Sequence, residues 1–261
     1  MKRIIILFCL LIASAASADP IHSKAFFAFT QQPAVPAPFS PTSITGLQLW
    51  VKASTITVAN GANVTNWPDS SGKGRNLAYD GTAPVNEWNA LNNTNVVKAA
   101  ATTWALRYST GYTNYGDLQT VFVVVKHRTG NQNYAHLFCK GTTAFWHGGS
   151  GTALFQSPFT PAAVLNGSMW VNGTSVTPST VQKSTSWKIY TFEPLTGPYQ
   201  VESITSANQG GRSWDGSFAE LVCYEGSLGA TDRQKVEGYL AWKWGLQGNL
   251  PAGHPYKSAA P

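Results

Sequence analysis

From Ile44 onward, short apolar runs alternate with Gly, Asn and Ser clusters about every 8 to 15 residues, the pattern of many short strands in a sandwich or barrel. Leu47, Leu49 and Val51 alternate with Gln48, Trp50 and Lys52, which predicts a strand with one aliphatic face. The continuous run Val121 to Val125 predicts a central strand covered on both faces. Further strands are predicted over Tyr134 to Lys140, Thr143 to His147, Ser168 to Val171, Trp187 to Glu193 and Ser217 to Glu225. Asn172-Gly173 sits between two such runs and predicts a tight hairpin, because both residues accept positive φ.

One segment changes period. Over about 231–244, Val236, Tyr239, Leu240 and Trp244 fall on one helical stripe. Thr231 and Gln234 have capping-box spacing, and Gly245 suits a left-handed stop. This helix is predicted to lie on the sandwich as a structural element.

The N-terminal part has a different texture. Lys2 and Arg3, the apolar run Ile4 to Ala13 and the small residues Ala16-Ser17-Ala18 predict a signal peptide over 1–18. About ten apolar residues are too few to span a bilayer, so no membrane span remains after cleavage. Residues 19–42, with five prolines and the Phe26, Phe27, Phe29 cluster, read as a linker that docks on the domain or on a partner. The domain is expected over 43–261, and the chain to be exported, extracellular, at a cell surface or virion-associated.

Composition narrows the chemistry. Charged residues make up 11% of the 261, against about 25% in average soluble domains. Without Lys2 and Arg3 the balance is 16 basic to 12 acidic residues, spread thinly, with no stripe suited to nucleic acid. The mild positive balance reads as a solubility feature. Cys139 and Cys223 lie in apolar runs, and either pair after export or stay as buried thiols.

Several motifs point to one family. Gly46-Leu47-Gln48-Leu49-Trp50-Val51 and Val64 to Asn76, with its Trp67-Pro68-Asp69 core, resemble the opening of laminin-G-like, concanavalin A-like jelly-roll domains of bacterial and phage proteins. Thr120 to Lys126 resembles the central strand of that family, and Gly216 to Tyr224 its closing strand. Gly238 to Leu246 and Leu250 to Tyr256 are similar to the C-terminal helix and tail of one bacterial branch. The resemblance implies an all-β fold, a two-sheet antiparallel jelly-roll sandwich with one C-terminal helix packed on it. It also implies binding of glycans or proteins on a concave sheet. Family members often have Asp where Lys52 stands, which counts against calcium at the first strand.

Catalytic signatures are sparse. Glu193, Glu220 and Glu225 do not form the closely spaced pair that glycoside hydrolysis requires. The histidines at 22, 127, 136, 147 and 254 lack paired metal spacing. Gly148-Gly149-Ser150-Gly151 lacks the last glycine of a nucleophile elbow and reads as a flexible loop. Asp69, Asp80, Asp117 and Asp215 lie in loop-like contexts, where they suit either a structural calcium or turn formation. No other cofactor is expected. Trp88, Tyr112, Tyr115 and Trp146, among polar neighbours, are the candidate carbohydrate-binding residues, since flat rings cover sugar C–H faces.

The leading expectation is a secreted, non-catalytic module that binds a glycan or surface polymer. An alternative is a structural protein of a virion or cell-surface assembly, holding other subunits through its N-terminal segment. A glycoside hydrolase or lyase is the least favoured.

Overall fold

The computed structural model describes residues 38–79, 82–100, 106–108, 117–139, 147–195, 199–200, 203–204 and 212–261. Pro38–Pro261 forms one compact unit. The expected signal and the Phe26 cluster lie outside the described residues.

Fifteen strands occur among the described residues. In chain order the first are β1 (Leu47–Lys52), β2 (Asn66–Trp67), β3 (Leu77–Tyr79), β4 (Val85–Leu91) and β5 (Thr94–Ala99). They are followed by β6 (Leu106–Tyr108), β7 (Asp117–Leu118), β8 (Thr120–His127), β9 (Phe138–Cys139) and β10 (Ser168–Val171). The last are β11 (Thr174–Val176), β12 (Lys188–Glu193), β13 (Tyr199–Gln200), β14 (Ser203–Ile204) and β15 (Gly216–Tyr224). A one-turn helix α1 (Ala162–Leu165) and the longer α2 (Ala230–Lys243) complete the set.

The chain is mostly β, with one large sheet and a smaller second one. Eight strands form the large antiparallel sheet in the order β11-β10-β12-β8-β15-β5-β4, with β1 also paired to β15. Five strands of two or three residues form the second sheet, β2-β3-β6-β14-β9, and β13 pairs with β7. Trp67, Leu77, Phe138 and Ile204 of the short strands join the same buried cluster as Leu49, Val51, Val123 and Leu221.

The apolar run Val121 to Val125 is central because β8 has β12 on one side and β15 on the other. All nine residues of β15 are buried. At a bulge between Phe218 and Glu220 its free edge changes partner, with β5 paired to Gly216–Phe218 and β1 to Glu220–Tyr224. Directly paired residues share a face. One face therefore carries Trp170, Thr191, Phe122, Val222 and Trp50 in a single cross-strand row.

On that face lies α2. Val236, Leu240 and Trp244 are fully buried, each contributing about 1.5–3 kcal/mol by burial. The C-terminus follows the sequence. Gly245 takes φ +70, Leu246 donates to Ala241 at 2.7 Å and Gly245 to Trp242 at 3.4 Å, satisfying the last carbonyls. The N-terminus corrects the reading. The helix starts at Ala230, its N-cap is Gly229 with no side-chain bond, and Thr231 stands inside the first turn.

Other segments depart from expectation in the same local way. Of the described residues in the stretch 134–140, only Phe138–Cys139 is strand, and Tyr134 takes φ +58 and turns the chain. The end of the proline-rich stretch packs into the domain. Ser40 caps a 3-10 turn at Pro41–Ser43, buried Pro41 accepts from the Tyr224 hydroxyl at 2.9 Å, and Phe39 meets Tyr239 edge-on. The hairpin at Asn172-Gly173 forms as read, with φ +52 and +77.

Candidate functional site

The carboxylates nearest the sheet centre are locked by neighbours. Glu220 is wholly buried on the helix face and accepts from Trp50 Nε1 at 2.5 Å, Trp244 Nε1 at 2.8 Å, the Tyr239 hydroxyl at 3.0 Å and Lys243 Nζ at 2.5 Å. Burial pulls the Lys243 pKa down and Glu220 opposes it. Burial and the Glu220 charge raise the Tyr239 hydroxyl. Glu237, equally buried, accepts from Arg233 Nη1 at 2.8 Å and Thr191 Oγ1 at 3.0 Å. His254 Nδ1 accepts from the Tyr256 amide, which leaves Nε2–H to donate to Glu237 at 3.3 Å. Arg233 also lies 4.0 Å above the Trp170 ring. These donors occupy the lone pairs a catalytic acid or base would need.

The remaining acids are dispersed. Glu193 ends β12, two strands from β15, hence about 10 Å away at the closest level. Burial raises its pKa and Arg233 opposes the rise. Glu225 accepts from Gln48. Asp69 accepts from the Trp50, Ser71 and Arg75 amides at 3.1, 2.8 and 2.9 Å, and so organises its turn. Asp215 is held by Arg128. Asp80 and the Asp117 side chain lie outside the described residues. No group of three or more His, Cys, Asp or Glu is placed for a metal among the described residues.

Cys223 is a buried free thiol. Its strand neighbours are Leu49 and Val121 of the large sheet, whereas Cys139 belongs to a strand of the small one. Burial raises its pKa well above the ordinary thiol range.

The loop Gly148 to Gly151 is clamped instead of flexible. A Cβ at Gly148 would lie 1.8 Å from the Ala135 carbonyl oxygen, so the glycine is a packing requirement. Lys183 donates to the Gly149, Gly151 and Ala153 carbonyls at 3.0, 2.9 and 2.5 Å. Its burial lowers its pKa to about 8, which leaves it charged at neutral pH.

Of the four candidate aromatics, only Trp88 is described; Tyr112, Tyr115 and Trp146 lie outside the described residues. Trp88 is 51% exposed. It stands in edge strand β4, just before Asn89 at φ +52 where the register with β5 shifts. Its amide donates to Asn60 Oδ1 at 2.9 Å and its indole N–H to the Val58 carbonyl at 3.2 Å. One ring edge is thereby anchored while the ring stays open to solvent.

Along the same edge, on the face of β4 that carries Glu87, two hollows adjoin and share Glu87 and Lys98. One, of about 220 Å³, is bounded by Asn60, Gly61, Val85 and Asn86. The other, of about 150 Å³, is bounded by Lys126, His127, Arg128, Thr185 and Ser217. A cross-strand row, Lys98, Ser217 and Lys126, runs through its lining, and Val85 of the first hollow continues it beyond Lys98. Lys98 reaches Glu87 at 3.6 Å, and Arg128 Nε reaches Asp215 at 2.9 Å. His127 Nδ1 accepts from the Gly130 and Thr129 amides at 2.9 and 3.2 Å, while Nε2 donates to Gln132 Oε1. Burial holds its pKa below the usual imidazole value. Sequence reasoning missed this row. Its signal is that Lys98 and Lys126 each interrupt the apolar end of a strand.

Compared with known proteins, the chain matches no family model, no curated sequence and no solved structure.

Proposed function

We propose that the chain is an exported, non-catalytic binding module of the laminin-G-like, concanavalin A-like jelly-roll class, which holds a glycan or cell-surface polymer along the β4 edge. The observation that carries this reading is a sheet edge that bears both an open aromatic ring, Trp88, and, on the face of Glu87, a pair of adjoining polar hollows. An edge that offers an aromatic face and polar hollows suits an extended glycan, in which one sugar's C–H face covers the ring while hydroxyls of others bond the hollow rim. The saturated Glu220 and Glu237 support a binding role over hydrolysis. Export follows from residues 1–18, and the two-sheet core agrees with the implied sandwich.

A glycan array probed with the mature chain, with and without calcium, tests the proposal. Trp88→Ala is expected to weaken retention about tenfold or more, with a melting temperature within about 2 °C of wild type because the ring is half in solvent. Retention unaffected by that change would remove the groove from the account.

A further inference from the structure

Lys98 of β5 and Lys126 of β8 are both paired with Ser217, from opposite sides of β15. Paired side chains rise on the same face, and neighbouring strands lie about 4.8 Å apart, so the lysine stems stand about 10 Å apart. Between them is only the short Ser217 side chain, and there the smaller hollow opens. A longer residue at 217 would fill it.

The lining has an excess of positive charge. Lys98, Lys126 and Arg128 face one lining carboxylate, Glu87. Asp215 takes up Arg128 from the side, through two of the five guanidinium donors. Lys126 has no carboxylate partner among the described residues; its ammonium lies 5.1 Å from the centre of the Trp187 ring. With stems about a Debye length apart, the two lysines repel each other little in physiological salt, and their ammonium groups now turn outwards, to Glu87 and to the Trp187 ring. An anion lowered between them meets both, with the Ser217 hydroxyl below and the remaining Arg128 donors at the side. A site built for a neutral sugar would present amides and carboxylates instead of a cation pair.

We infer that the groove takes an anionic glycan, whose carboxylate or sulfate group seats over Ser217 between Lys98 and Lys126. This rests on the glycan-binding reading and narrows it to one ligand class.

Titration calorimetry on the mature chain, at low and at physiological salt, tests it with four probes. They are an oligogalacturonate, a heparin-derived oligosaccharide, a neutral malto-oligosaccharide and a short single-stranded DNA. One or both acidic sugars are expected to bind, more weakly at higher salt, and comparison of the two separates carboxylate from sulfate. Lys126→Met, which keeps the apolar stem against Trp187, is expected to cost about tenfold in affinity. Adding Lys98→Gln should cost more, Lys126→Arg should retain binding, and Lys235→Gln on the far helix surface should change nothing. Melting curves for each variant show whether a loss of binding is a loss of fold, and Lys126→Arg serves if Lys126→Met does not fold. Equal binding of the neutral sugar, insensitive to these changes, overturns the inference and leaves the glycan reading standing. If no sugar binds this protein either here or on the array, both fall. DNA binding as tight as that of the sugars, with the same variant sensitivity, overturns it too, because the row would then read charge alone.

Discussion

One face of the large sheet carries charged side chains in two settings. Under α2, Glu220 of the sheet and Glu237, which the helix itself turns onto it, are wholly buried and each is surrounded by at least three donors. At the far ends of β5 and β8, Lys98 and Lys126 stand beside an open hollow, one loosely paired and the other with only an aromatic neighbour. Removing a carboxylate from water costs several kcal/mol, so a buried one persists only where donors replace the water. A lysine at the rim of a shallow hollow keeps most of its hydration and its capacity to bond something else. What separates the structural charges on this face from those proposed to bind a ligand is saturation of the charge, not its location.

The strongest way to break that contrast is Glu220→Ala. It leaves the Lys243 ammonium, two indole N–H groups and the Tyr239 hydroxyl without their shared acceptor. Breaking a buried pair costs about 3–5 kcal/mol, which lowers the melting temperature by about 10 °C in a domain of this size. Scanning calorimetry checks it. A variant that melts like wild type but no longer binds sugar would place Glu220 in the site and end the distinction.

Acid provides a milder probe on the open side. Burial holds His136 down to about 4, against 6.5 in the unfolded chain. Between those values the unfolded chain binds a proton that the folded chain does not, so acid favours unfolding. The contribution is complete above about pH 6.5 and is lost as pH falls towards 4, up to about 3 kcal/mol. His127 and His147 shift the same way. Protonated His127 can no longer accept the Thr129 and Gly130 amides beside Arg128. Melting temperature is therefore expected to fall below about pH 6.5. His136→Asn should flatten the melting profile.

Local rules explain which parts were legible. The Val121 to Val125 run, the Asn172-Gly173 turn and the Gly245 stop are each written within a few consecutive residues, and each appears as read. The cap was misplaced by the same reasoning, because Gly229 offers no side chain to signal it. Glu220 was not legible as a structural hub, since its donors come from β1 and from two turns of α2, and only the register aligns them. The row of Lys98, Ser217 and Lys126 draws on three strands far apart in the chain. Of the candidate aromatics, Trp88 was singled out by its polar neighbours, but its setting on an edge strand depends on the pairing of β4 with β5.

The smallest expected effect sharpens the contrast from its other end. Lys235 reaches Asp232 at 3.1 Å on the outer surface of α2, and both side chains are more than a third exposed. That pair resembles the buried ones in charge alone. Water already solvates both partners, so joining them gains little Coulomb energy and restrains two side chains. Lys235→Ala should change stability by no more than about 0.5 kcal/mol, since alanine also favours the helix slightly. Calorimetric melting in low and high salt checks this, and the small difference should vanish in high salt. A loss as large as that of Glu220→Ala would mean that position on the helix, not saturation in the interior, decides what its charges contribute.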